Sequence, residues 1–367
     1  MSESNKRNFI VHGSILAIAG ILVRIIGMLY RIPVVNIIGS EGNGIYGAAF
    51  NIYNIMLVLS SYGLPMAVSK LVSARFTKRR YKSAAKVLRC SLMVAVCTGG
   101  IAALLVFFGA SFIENVIYGG GLPGLAIPLR ILAPTIFLVA ILGVIRGFFQ
   151  GQSTMIPTAV SQILEQIVNA IVSIAAGYGM MKAFASSPDV AAYGAAGSTL
   201  GTAMGALTAV LFMGFLYAVY TPTFNRLKRK DRHTENQSTG QICKIIIYTM
   251  IPIILGQTFY QISALIDDVM FSNIMVGRDI TKSISMDLGN FSSSYSLLIG
   301  IPQGVASAMS ASMLPSVVAS FTDRDYDSIY DKITKTLKTN MFIAVPSFVG
   351  LLSLIHISEP TRPRLIS

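Results

Sequence analysis

The chain has 367 residues, 53% of them hydrophobic and only 12% charged, with a mean hydropathy of +0.65. So little charge excludes a soluble domain of this size, and apolar runs longer than ~18 residues, continuous rather than alternating, point to membrane helices and away from a β-barrel. The net charge of +13 sits in alternate loops, which is the positive-inside pattern and excludes nucleic acid as its explanation.

The first predicted helix covers residues 9–38 and is longer than a bilayer core of roughly 30 Å requires. Lys6 and Arg7 before it place the N-terminus in the cytoplasm. Ala17-Ile-Ala19 resembles a signal-cleavage site, but the apolar run continues past it and more spans follow, so the helix is expected to remain. Gly13, Ala17, Gly20, Arg24, Gly27 and Arg31 recur at spacings of three and four and share one face. Ile15, Ile18, Leu22, Ile25, Ile26 and Leu29 fill the others. Small residues mark close approach of another helix or a cavity, so both arginines are expected to point inward. Arg24 lies about 22 Å along the helix, at a depth where a charge costs roughly 2.5–3.5 kcal/mol, which makes a functional role the default reading. Pairing within the bundle, or snorkelling of Arg31 to the interface, is the structural alternative.

A short Gly39-Ser-Glu-Gly-Asn43 turn leads to a second span, 44–74, interrupted at Gly63-Leu-Pro65. A dense basic loop follows, with Arg75, Lys78, Arg79, Arg80, Lys82, Lys86 and Arg89. The third span, 91–112, leads outside to Glu114 and the Gly119-Gly-Gly121 turn. The fourth, 123–149, returns inside at Arg146-Gly-Phe-Phe-Gln-Gly151, and the fifth, 157–181, begins with a helix-starting proline. The sixth, 193–220, carries Gly197, Gly201 and Gly205 at four-residue spacing, the pattern of closely packed membrane helices. A seventh span covers 241–266 with a kink at Pro252, and Asp267 and Asp268 mark its outer end. An eighth, 288–321, is broken at Gly300-Ile-Pro302, and a ninth covers 341–354.

Phe76-Thr-Lys-Arg-Arg-Tyr-Lys-Ser83 and Phe321-Thr-Asp-Arg-Asp-Tyr-Asp-Ser328 form an internal repeat, each copy following a span with a Gly-x-Pro break. An even number of spans separates the copies, so the repeat is parallel, the plan of a two-lobe transporter. The expected organisation is a six-helix lobe over 1–220, a basic cytoplasmic linker over 221–240, and an incomplete second lobe over 241–352. Residues 353–367 read as a non-native tail from translated adapter sequence, and the chain as it stands is expected not to transport.

Polar residues at membrane depth supply the candidate site. Thr158, Gln162, Glu165, Asn169 and Ser173 form a stripe on the fifth span, flanked by Ser161 and Gln166. Glu165 is a candidate either for pairing with an arginine or for carrying a coupling proton. Asn51 and Asn54 on the second span, and Gln257, Gln261 and Asp268 on the seventh, are further candidates for cargo or, for Asp268, ion coupling; helix-to-helix hydrogen bonds explain them nearly as well. Arg146 is expected to snorkel at the cytoplasmic mouth. Cys90, Cys97 and Cys243 form no framework, and His12, His233 and His356 make no metal site, so no metal, cofactor or soluble-type catalysis is expected.

Arg24-Ile-Ile-Gly-Met-Leu-Tyr-Arg31-Ile-Pro33, Gly42-Asn-Gly-Ile-Tyr46 and Gly63-Leu-Pro-Met-Ala-Val-Ser-Lys-Leu-Val-Ser73 resemble the opening of the stage V sporulation protein B group. Arg146-Gly-Phe-Phe-Gln-Gly151, Met155-Ile-Pro-Thr-Ala159 and Ser161-Gln-Ile-Leu-Glu-Gln166 extend the likeness. That group belongs to the multidrug/oligosaccharidyl-lipid/polysaccharide flippase superfamily. The resemblance implies two helical lobes packed as a V around a central cavity with alternating access. It also implies more spans than are present here, with arginines of the first helix binding a pyrophosphate. Arg24 matches the first such position through Arg-x-x-Gly; Arg31 lies one residue further from it than the second arginine of lipid II flippases. The implied function is translocation of an undecaprenyl-pyrophosphate-linked glycan across the cytoplasmic membrane by a monomer whose partners are that glycan and membrane lipids. The alternative is a cation-coupled multidrug and toxin extrusion antiporter. A membrane glycosyltransferase would need catalytic carboxylates beside a large soluble loop, and no loop here is large enough.

Overall fold

A computed structural model describes residues 3–152, 154–231, 237–278, 284–291 and 325–358, with isolated residues 302, 313, 317 and 320. Every regular element among them is helical: α1 (Glu3–Ser60), α2 (Leu64–Thr77), α3 (Tyr81–Phe112), α4 (Ala126–Gln150), α5 (Ile156–Ala183), α6 (Val190–Lys230), α7 (Thr239–Val276), α8 (Ile284–Phe291) and α9 (Tyr326–Ser358). Ile113–Ile117 adds a π-helical turn at the end of α3. Six stretches among the described residues are long and apolar enough to cross a membrane. The protein is an all-α polytopic membrane protein. Most of the eighth span, the Gly300-Ile-Pro302 break and the start of the second repeat copy lie outside the described residues.

The chain forms two compact units, one of residues 1–21 with 295–367 and one of residues 22–294. The first contains the N-terminal part of α1 and all of α9. Every candidate site residue belongs to the second.

The first predicted span and the first part of the second belong to one helix, α1, broken at a single residue. Gly39 takes φ 70 and ψ 179, a conformation open to glycine and strained for other residues. The five-residue turn expected there is therefore a one-residue kink. The interruption at Gly63-Leu-Pro65 is present, with Pro65 in the first turn of α2, where its missing N–H costs nothing.

The basic stretch after 220, expected as linker, is helical through Lys230 because α6 runs on. Phe224 explains the extension. It is buried, stacks on Phe76 at 6.0 Å and meets Phe148 edge-on at 5.3 Å. Asp231, also buried, then accepts from the backbone N–H of Lys82 at 2.8 Å. It thus satisfies a donor in the first turn of α3, where no local side chain caps the helix.

The closest helix pair is α5 with α6. A Cβ on Gly197 would strike the Ala176 carbonyl, one on Gly201 would strike Ser173, and one on Gly205 would come within 2.6 Å of the Glu165 carbonyl oxygen. The glycine stripe thus lets α6 lie antiparallel on the backbone of α5, and lipid offers no hydrophobic drive to replace that close packing.

Candidate functional site

The arginine-bearing part of α1 runs parallel to α5. A Cβ on Gly27 would lie 3.2 Å from the Gln166 amide nitrogen, and the Asn169 amide donates to the Tyr30 hydroxyl at 3.4 Å, an offset of 139 residues. Further along, Ile38 reaches the space beside Gly177 and Gly194. The small-residue face of α1 thus meets α5 at Gly27, whereas Gly20 has open space where its Cβ would go, and Leu22, Ile25, Met28, Leu29 and Ile32 are exposed on the other faces. Arg24 lies one turn before the Gly27 contact and is exposed; Arg31 lies one turn after it and is half-buried. The Arg31 guanidinium sits 5.9 Å from the Tyr46 ring centroid, a cation–π arrangement. Tyr30, next to Arg31 in sequence, is the α1 residue that meets Asn169 on α5.

The polar stripe of α5 divides between two neighbours. Asn169 and Ser173 face α6: Ser173 Oγ is 2.8 Å from the Ser198 carbonyl and 2.9 Å from Asn169 Oδ1, and Thr202 is 3.5 Å from that same oxygen. Thr158, Ser161 and Glu165 face α4 instead. Arg146 donates from Nε to Ser161 Oγ at 2.9 Å and from Nη2 to Glu165 at 2.7 Å. Gln150 reaches Thr158 at 3.5 Å. Of the two roles open to Glu165, this arrangement realises the ion pair. Its partner comes from α4 rather than α1, and Arg146 is an ion-pair residue rather than a snorkelling one. A signal was available, because the connection between α4 and α5 is short and keeps Arg146 and Glu165 near each other in sequence. Gln162 is half-buried on the same helix.

Candidates from the later spans form a second group. Asn51 Nδ2 donates to Asp268 at 2.6 Å, joining α1 to α7. Near that end of α7, Ser272 donates to the Tyr118 carbonyl at 2.8 Å and Asn273 to the Ile117 carbonyl at 2.7 Å. Asn43 donates to the Gly289 carbonyl of α8 at 2.9 Å. Asn54 is half-buried one turn beyond Asn51, and Gln257 and Gln261 are half-buried on the α7 face that carries Asp268. Among the described residues no group of His, Cys, Asp and Glu is placed to hold a metal ion.

The polysaccharide biosynthesis protein family matches residues 10–321. The lipid II flippase MurJ of Bacillus subtilis (strain 168) is 28% identical over 344 residues, covering 92% of this chain and 62% of that protein. Stage V sporulation protein B of the same bacterium is 25% identical over 316 residues, 85% of this chain and 58% of that protein. The chain thus spans about three fifths of the length of these relatives. Among solved structures, the MATE multidrug transporter DinF-BH gives a TM-score of 0.67 at 13% identity, over 99% of this chain and 76% of that one. A MOP superfamily transporter from Pyrococcus furiosus, described as having a binding pocket of reverse polarity, gives 0.59 at 17% identity, over 94% and 72%. At these identities the structural likeness establishes the helical architecture. The family match, extending over most of the length, is a statement about the sequence itself: this chain belongs to the polysaccharide biosynthesis protein family.

Proposed function

We propose that the complete protein is a flippase that carries an undecaprenyl-pyrophosphate-linked glycan, a peptidoglycan or polysaccharide precursor, across the cytoplasmic membrane by alternating access. Its N-terminus lies in the cytoplasm, it works as a monomer, and it is not an enzyme. The observation that carries the reading is the pair of arginines on the α5-facing side of α1. Arg24 and Arg31 share that side, while Glu165, the acid of the neighbouring stripe, is already paired with Arg146. Arginines at membrane depth suit an anion with many oxygens, because guanidinium forks match phosphate geometry. A cation-coupled antiporter needs instead a carboxylate open to a cation; Glu165 is held by Arg146, and Asp268 accepts from Asn51. The lipid II flippase relative supports the cargo class.

The test uses full-length protein in proteoliposomes with a fluorescent lipid-linked glycan. Arg24→Ala should slow flipping by about tenfold or more, the loss expected for hydrogen bonds to a charged group. Arg24→Lys should recover only part, since a point charge cannot replace the fork. Undiminished flipping by a folded Arg24→Ala protein would refute the reading.

A further inference from the structure

Arg146 has more to give than its two bonds use. A guanidinium carries five N–H groups, and here Nε–H goes to Ser161 and one Nη2–H to Glu165. The side chain keeps 13% of its surface exposed. Glu165 is more open at 27%, and it acts electrostatically on Tyr53 of α1. Both side-chain partners of Arg146 lie on α5, the helix that runs parallel to the arginine-bearing part of α1. The offset between those helices places Arg24 and Arg31 at heights that bracket Glu165 and Asn169. A diphosphate diester brings one negative charge on each of its phosphates, and several guanidinium forks can share such a group.

Resting on the flippase reading, we propose that Arg146 is a third cargo-binding cation and Glu165 its internal counter-anion. The carboxylate holds the guanidinium in position when the site is empty and competes with the cargo's diphosphate when it is full. Carboxylate and phosphate present similar oxygen pairs to the same fork, so one can replace the other without moving the arginine far. Ser161, by holding Nε, fixes the plane in which that exchange occurs. Competition of this kind also solves a transporter's difficulty, since cargo gripped by arginines with no competing anion would leave slowly. A site must bind well enough to load and weakly enough to release.

The inference predicts changes of opposite sign from the two halves of one ion pair. With full-length protein in nanodiscs and undecaprenyl diphosphate as the probe, Arg146→Gln should weaken equilibrium binding by about tenfold, the worth of a charge-assisted hydrogen bond. Glu165→Gln should tighten binding by several-fold, yet lower kcat in the flipping assay while KM falls. Arg146→Lys should recover part of the lost affinity. If both Gln variants weaken binding alike, with matching losses of thermal stability, the pair is structural and the inference is overturned. Unchanged binding in both overturns it as well. If Arg24→Ala weakens probe binding and the α4–α5 variants do not, the inference fails alone. If the unmutated protein does not bind the probe, or Arg24→Ala leaves binding unchanged, the flippase reading falls and takes the inference with it.

Discussion

Asn51 and Asp268 meet across 217 residues of chain, and each answers the problem the other poses at depth. A carboxylate away from water needs donors, and the Asn51 amide supplies one at 2.6 Å. Asn51→Ala removes that donor and leaves the acid behind, so it should cost about 1.5–3 kcal/mol, the range for hydrogen bonds to charged groups. Asp268→Asn removes the charge as well, and should cost less. A thermal-shift comparison of the two in detergent decides the matter, and an Asp268→Asn protein that melts lower than Asn51→Ala would contradict this account. Both residues stand out in the sequence as polar groups within apolar runs, but their pairing does not, because no local spacing connects them. Arg146 and Glu165 were nearer to being legible, since the two helices that carry them are joined by a short turn.

Helix faces were the most readable level of organisation. The glycines of α6 announce close packing by spacing alone, but they do not say which helix they pack on. The answer is α5, and the cost of filling the space can be stated. Gly201→Val would push a branched side chain into Ser173 and the Asn169 carbonyl, which should lower stability by about 1–3 kcal/mol through overpacking. It should also displace Asn169 from Tyr30 and so reduce flipping. Gly214, on the same helix, has open space where its Cβ would go, and Gly214→Ala should stay within about 0.5 kcal/mol of the parent. Equal melting temperatures for both variants would remove the glycine stripe from the packing argument. At the end of α6 the helix runs on into the basic stretch that composition reads as linker. Burial of Phe224 against Phe76 and Phe148 keeps the chain helical there, and these two partners, distant in sequence, leave no local mark.

Across the whole molecule, the order of the helices up to α7 follows the hydropathy pattern, because the bilayer imposes one polarity on every span. The charge bias of the loops adds a direction, which cysteine labelling can check. In a background without Cys90, Cys97 and Cys243, a membrane-impermeant maleimide should label Ser186→Cys in intact cells. Lys78→Cys and Lys230→Cys should react only after permeabilisation. The reverse pattern would invert the topology and with it the direction assigned to transport.

The kink at Gly39 has a mechanical corollary. With one residue between two helical rods, there is no slack to absorb a change in angular phase. One residue added immediately after Gly39 would rotate everything beyond it by about 100° relative to the first rod. Tyr46 would then swing away from Arg31, or Asn51 away from Asp268, because the two rods could not keep both contacts. The connection between α5 and α6, residues 184–189, is several residues long and should accept the same insertion with little effect. The glycine acts as an index mark, setting the rotational alignment between the arginine-bearing rod and the rod that reaches α7.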